Sequence, residues 1–259
     1  MDNITDIIWI QTAFIGDLVL SSGAFKLVQE KFPSTKQHLI TTRLGAELYK
    51  DHNTLESVTI FEKKKSNPLL AFYNVKKHLL KKQALTPTTI ILQAHKSLRS
   101  SLLSLYLNKP IVTFDQTSCN IFAKYRASKI SVFHESIRVA LLTEHLGVDR
   151  QSMTTVKLNL PKKPTEFISN DTLKNFLTNK DSTLIAISPG SSWKTKEWPI
   201  QYYSQLVKKL LSNKGETEIN LIVKVKNKLA TYSLQENRKF DLNHLKALKA
   251  KKYVEKITV

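Results

Sequence analysis

Cysteine is almost missing from this chain: Cys119 stands alone among 259 residues. A single thiol closes no internal disulfide, so a disulfide-stapled scaffold is excluded and a reducing cytoplasm is the expected compartment. No apolar run reaches the roughly 18 residues needed to span a bilayer. The opening Met1-Asp2-Asn3-Ile4-Thr5-Asp6 is acidic and polar, unlike the basic start of a signal peptide. Glycine is scarce too, at six residues, and no G-x-G-x-x-G or P-loop pattern occurs. C-x-x-C, H-E-x-x-H and G-x-S-x-G are likewise missing, which leaves metal catalysis and acyl transfer without a foothold. No cofactor or metal is therefore expected. Acid is the last shortage: 21 acidic residues face 40 basic ones, a net charge of +19. That excess favours nucleic acid, a phospholipid surface or a phosphorylated substrate, or else merely solvates a lysine-rich surface.

What is present is an ordinary globular composition, 41% hydrophobic and 24% charged, able to bury a core. Short apolar runs alternate with amphipathic stretches. Ile7–Ile10, His38–Thr41, Val58–Phe61, Thr89–Leu92 and Ile111–Phe114 read as strands. Helical spacing falls between them: from just after Asp17 to about Phe32, over Leu44–Tyr49, over Leu69–Leu80, and over Ser97–Leu105. A further helix over Glu135–Leu146 ends at Gly147. Such alternation predicts βαβ units around a parallel sheet, a doubly wound α/β layer. Leu160-Pro161-Lys162-Lys163-Pro164 reads as a linker. Beyond it a second unit begins, with a helix over Asp171–Leu177, a strand over Leu184–Ser188, a helix over Ile200–Leu211 and a strand over Ile219–Val223. The expected domains are 1–160 and 165–259. Only 96 residues follow Lys163, fewer than the roughly 120–150 of a full Rossmann-like domain. Residues 224–259 hold ten basic and three acidic residues, no Gly or Pro, and no clean strand–helix alternation. The second domain is expected to be incomplete, with a divergent Lys-rich tail.

Three turns carry candidate chemistry. In open α/β sheets ligands sit beyond the carboxyl ends of the strands, which singles out Gln11–Leu20 after the first strand. Gly16 there allows close backbone approach. Asp17 is either a reactive carboxylate or a helix-capping residue that complements the dipole. His95–Ser101 follows the fourth strand. Its Lys96, Ser97 and Arg99 are candidates for holding an anionic acceptor, although Ser97 can equally serve only as an N-cap. His134-Glu135 has the same double reading. In the second unit, Pro189-Gly190-Ser191-Ser192-Trp193-Lys194-Thr195-Lys196-Glu197-Trp198-Pro199 joins a strand to a helix. Hydroxyls and ammonium groups at a helix N-terminus make an anion site, or else a polar loop with exposed lysines.

Together these segments resemble the heptosyltransferases of glycosyltransferase family 9. Ile15-Gly16-Asp17-Leu18-Val19-Leu20 with Phe32-Pro33 resembles the family's amino-terminal signature. Ser97-Leu98-Arg99-Ser100-Ser101, His134-Glu135 through Gly147, and Pro189-Gly190 through Lys196-Glu197-Trp198-Pro199 resemble its later ones. Within the family, the nearer likeness is to the enzyme that adds the second inner-core heptose. The resemblance implies a GT-B fold of two Rossmann-like doubly wound domains, 1–160 binding acceptor and 165–259 binding nucleotide sugar. It implies an ADP-L-glycero-D-manno-heptose donor and a lipopolysaccharide core acceptor, Kdo or heptose on lipid A, transferred to with inversion. Asp17 is then the general base, Lys196 the charge that neutralises the diphosphate, and Ser191 and Ser192 its further contacts. No metal is required.

The family's Asp-Ser-Gly-x-x-His-x-Ala stretch has no counterpart after Gly215. A truncated or frameshifted reading frame accounts for that, and an inactive member keeping only acceptor or anionic-lipid binding is the alternative function. Peripheral attachment at an anionic membrane surface, on the inner face of the inner membrane, fits the charge. Nucleic acid is not expected as a partner, because the lysines are spread along the chain and no nucleic-acid-reading motif occurs.

Overall fold

The structure is a computed structural model that describes residues 4–62, 67–128, 132–160, 182–187, 194–196, 198–212, 218–225 and 228–233. The chain divides into two compact units, 1–162 and 163–259.

The first unit is built on six strands: β1 (Asp6–Ile10), β2 (Lys36–Thr41), β3 (Ser57–Ile60), β4 (Ile90–Gln93), β5 (Ile111–Phe114) and β6 (Tyr125–Ala127). All pair in parallel, in the order β3-β2-β1-β4-β5-β6. β1 is buried at every position because strands flank it on both edges and helices cover both faces. That double covering is why it reads as a continuous apolar run rather than an alternating one.

Strand alternation divides the core. Ile7 and Trp9 pack on one face with Phe25 and Val28 of α1 (Ile15–Lys31), Tyr49 of α2 (Arg43–Tyr49) and Val139 of α5 (Glu135–Ala140). Ile8 and Ile10 pack on the other with Phe72, Val75 and Leu79 of α3 (Pro68–Lys81) and Leu103 and Leu107 of α4 (Leu98–Leu107). Trp9 meets Phe25 edge-on at 5.0 Å. Its indole donates to Gln37 Oε1 at 2.8 Å, and Gln37 Nε2 donates onward to the carbonyl of Phe25. The polar atoms carried into this core are thus satisfied, which the cost of burying an unpaired amide demands.

Several boundaries differ from expectation. α1 starts at Ile15, with Phe14 as its N-cap in extended geometry and no side-chain cap, so Asp17 is the third helical residue rather than the last of a loop. The expected helix over 135–146 is α5 followed by a 3-10 turn over Leu141–Leu146, closed by Gly147 at φ 90°. β6 and the five-residue α6 (Arg150–Thr154), capped by Asp149, are additional. At the amino edge, His38 is fully buried between Asp6 Oδ1 at 3.0 Å and Ser57 Oγ at 2.8 Å. That polar chain lies at the edge opposite the strand ends where ligands bind, so it serves the sheet and not a substrate.

In the second unit, β7 (Ser182–Ile187) pairs in parallel with β8 (Glu218–Val225), and α7 (Ile200–Ser212) lies between them in the chain. Ser204 and Val207 of α7 are buried, whereas Gln201, Tyr202, Gln205 and Lys208 are exposed, the one-sided pattern of a helix against a sheet. The tail contributes a strand that its composition concealed: β9 (Lys228–Ser233) pairs antiparallel with β8. The expected helix over 171–177 lies outside the described residues.

Candidate functional site

The order of the first sheet reverses between β1 and β4, and at such a switch point the loops diverge and leave a crevice at the carboxyl ends. A cavity of about 840 Å³ occupies that place. Its walls come from the turn after β1 (Gln11, Thr12, Ala13, Phe14), from Asp17, from the ends of β2 and β3 (Thr42, Arg43, Phe61, Glu62), from the turn after β4 (Ala94, His95, Lys96), and from Glu135.

Two buried glutamines hold the turns that shape it. Gln11 Nε2 donates to Ser21 Oγ at 3.0 Å, and its Oε1 accepts from the backbone amide of Ala13. Ser21 Oγ in turn donates to the carbonyl of Asp17 at 2.7 Å. Gln93 Nε2 donates to the carbonyl of His95 and to Ser101 Oγ, and Ser104 Oγ donates back to Gln93 Oε1 at 2.8 Å. The two turns are also joined directly. Thr12 Oγ1 lies 2.9 Å from His95 Nδ1 and 2.8 Å from Ser100 Oγ, which reaches Ser97 Oγ at 2.8 Å.

Charge within the cavity is largely paired. Arg43 binds Glu62 through both Nε and Nη2. The hydrogen bond and negative charge of Glu62 hold the guanidinium above its ordinary pKa. Glu135 pairs with Arg138 one turn along α5. Lys96 Nζ donates to Gln116 Oε1 at 2.7 Å. Asp17 is different. Its half-buried carboxylate makes no hydrogen bond or ion pair with the described residues, although its backbone carbonyl is engaged. A carboxylate with its lone pairs available on a cavity wall can accept a proton from a bound hydroxyl. Among the described residues no cluster of three His, Cys, Asp or Glu side chains is placed to hold a metal ion.

The sequence candidates are distributed as follows. Asp17 and Lys96 line the cavity together. Ser97 sits beside it as the N-cap of α4, accepting from the amide of Ser100, and Arg99 is exposed on the first turn of that helix. In the second unit Lys196 is exposed at the end of a 3-10 turn over Lys194–Lys196. Trp198 follows, stacked on Tyr202 at 5.6 Å and edge-on to Tyr203 at 4.9 Å. Ser191 and Ser192 lie outside the described residues. Arg43 and Glu62 were not singled out by sequence, since only the strand order brings their loops to the turn after β1.

A sequence profile of glycosyltransferase family 9 (heptosyltransferase) matches residues 74–241. The chain belongs to glycosyltransferase family 9. The matched span begins within α3, so the turn carrying Asp17 precedes it. Solved structures give the same assignment of fold. A family 9 glycosyltransferase from Veillonella parvula superposes with a TM-score of 0.68 at 17% identity, over 83% of this chain and 62% of that one. The E. coli heptosyltransferase WaaC, solved with ADP, gives 0.58 at 18% identity, over 83% of this chain and 67% of that one. The E. coli ADP-heptose lps heptosyltransferase II gives 0.58 at 16%, over 83% and 63%. The architecture of this family 9 chain is therefore the α/β GT-B fold. It spans about three-fifths of the length of the Veillonella protein. No curated protein sequence matches it significantly. Among the described residues no helix is long and apolar enough to cross a membrane.

Proposed function

We propose that this family 9 chain is an inverting glycosyltransferase that moves heptose from ADP-L-glycero-D-manno-heptose to the lipopolysaccharide inner core. The observation that carries the reading is the carboxylate of Asp17, without a partner among the described residues, on the wall of the switch-point cavity. Asp17 takes the proton from an acceptor hydroxyl as that oxygen attacks the anomeric carbon. The bond from that carbon to the diphosphate oxygen breaks, and ADP leaves with the electron pair. Lys196 neutralises the charge that builds on the leaving diphosphate, and Ser191 and Ser192 contact its oxygens. Lys96, Ser97 and Arg99 hold the anionic acceptor. WaaC has been solved with ADP and with ADP-2-deoxy-2-fluoro heptose, which supports a nucleotide-diphosphate sugar as donor here. In this reading the first unit serves the acceptor and the second the donor, at an anionic membrane surface on the cytoplasmic side.

The test is a mass-spectrometric transfer assay with ADP-heptose and a heptose-deficient core acceptor. Asp17→Ala is expected to lower kcat by roughly 10²–10⁴-fold. Unchanged turnover in that variant removes Asp17 from the base role. The alternative reading is acceptor or anionic-lipid binding without turnover, which the net charge of +19 would serve equally well. Binding of the core acceptor with no transfer by the unmodified chain would decide for it.

A further inference from the structure

Negative charge is not spread evenly. Residues 63–114 contain no Asp or Glu and ten basic residues: Lys63, Lys64, Lys65, Lys76, Lys77, Lys81, Lys82, Lys96, Arg99 and Lys109. This acid-free stretch includes α3 and α4, which lie side by side on one face of the sheet. Each helix buries one side against the sheet, through Phe72, Val75 and Leu79 or Leu103 and Leu107. Each is also apolar on the side turned away. Leu69, Leu70, Tyr73 and Leu98 are more than half exposed, and Leu102 and Tyr106 more than a third. The helices are continuous as a surface: the Tyr106 ring lies 5.7 Å from Phe72 of α3, and Lys76 Nζ sits 5.1 Å over it.

Contiguous apolar side chains that no other described part of the first unit covers mark an interaction surface. We infer that the outer face of α3 and α4 docks on an anionic phospholipid bilayer. Leucine and tyrosine side chains enter the headgroup boundary, and the lysines around them extend to lipid phosphates. A second copy of the chain is the wrong occupant, because two faces carrying this charge repel. Nucleic acid answers the lysines but leaves the leucines unused. Both helices are the next elements after a strand, α3 after β3 and α4 after β4, and begin towards the carboxyl edge of the sheet, where Phe61 meets Phe72 at 5.8 Å, so Leu69, Leu70 and Leu98 lie at the same edge as the switch-point cavity. Docking here holds that cavity against the lipid surface.

The inference assigns a surface to the membrane attachment read above, and its test scores binding rather than transfer, so either can fail alone. The full chain is sedimented with phosphatidylglycerol–phosphatidylcholine vesicles and with pure phosphatidylcholine vesicles. It should pellet with the anionic vesicles only, less so as salt is raised. Lys77→Glu/Lys81→Glu and Leu70→Ser/Leu102→Ser should each lose on the order of tenfold or more in partitioning. Lys31→Glu/Lys36→Glu, the same charge change at the amino edge of the sheet, should keep most of it. Circular dichroism melts confirm that each variant is folded. Retained binding in both α3–α4 variants, or an equal loss in the amino-edge control, overturns the proposal. So does a dimer in size-exclusion chromatography that Leu70→Ser/Leu102→Ser dissociates while vesicles pull down nothing.

Discussion

A Cβ placed on Gly23 in the middle of α1 would stand 2.5 Å from Val156 Cγ2 and 2.8 Å from the carbonyl oxygen of Lys157. The segment after α6 therefore returns across α1 at a distance that only glycine permits. The same segment is pinned by its own hydrogen bonds, Asn159 N to Ser22 Oγ at 3.0 Å and Asn159 O to His52 Nε2 at 2.7 Å.

Gly23→Ala should thus destabilise. A mid-helix alanine normally gains about 0.5–1 kcal/mol over glycine, but here overpacking against a backbone oxygen costs about 1–3 kcal/mol. The clash outweighs the gain. Gly16→Ala has nothing within 4 Å of the new Cβ and escapes it. Urea unfolding of both variants checks the contrast, and a Gly23→Ala protein as stable as the parent refutes it.

Thr12→Val keeps the shape of the side chain and deletes the hydroxyl shared by His95 and Ser100. The expected loss is about 1–2 kcal/mol, that of a buried hydrogen bond with a partner left behind. Because Ser100 belongs to the same chain of hydroxyls, Thr12→Val and Ser100→Ala should be non-additive by about 0.5 kcal/mol or more. Strict additivity in a double-mutant cycle would show that the two turns are not coupled.

Lys196→Ala should weaken ADP binding by roughly ten- to a hundredfold, the worth of about 1.5–3 kcal/mol for a hydrogen bond to a charged group. Calorimetric titration with ADP measures it. Equal affinity in both proteins would place Lys196 away from the diphosphate.

Acid should destabilise the first unit before its carboxylates titrate. Burial pushes the His52 imidazole below the ordinary histidine value, partly offset by its bond to the Asn159 carbonyl. Burial also lowers His78, helped by the charges of Lys82, Lys81 and His38. The unfolded chain binds these protons more readily, so stability is full above about pH 6.5 and declines as pH falls through the depressed folded-state values. His52→Gln/His78→Gln should flatten the pH dependence over that window. Unfolding curves recorded across it decide, and an unaltered slope in the double variant disproves the assignment.

Strands β1 to β5 are legible in the sequence, the four central ones for a physical reason. Parallel strands covered on both faces must be apolar throughout, and Ile7-Ile8-Trp9-Ile10 and Ile111-Val112-Thr113-Phe114 show it. Helix starts are legible where a polar cap announces them, as at Thr42, Asn67 and Ser97. They fail where none does. Phe14 opens α1 without a side-chain cap, and Asp17 draws the eye three residues too late. β6 escapes notice because only Ala127 of its three residues is buried, and β9 because its lysine-rich surroundings resemble a solvated tail. Asp17 and Lys96 stand out as reactive types in strand-to-helix turns. The Arg43–Glu62 pair does not: its two residues are 19 apart in the chain and meet only because β2 and β3 are neighbours.

The position of β1 has a consequence for synthesis. Its partner on one edge is β2, but its other edge waits for β4, 83 residues beyond Ile7 at Ile90. At translation rates of 5–20 residues per second that interval lasts about 4–17 s. Throughout it the nascent segment Asp6–Ile10 presents an apolar strand with one edge unpaired outside the ribosome, the kind of surface that recruits chaperones or seeds aggregation.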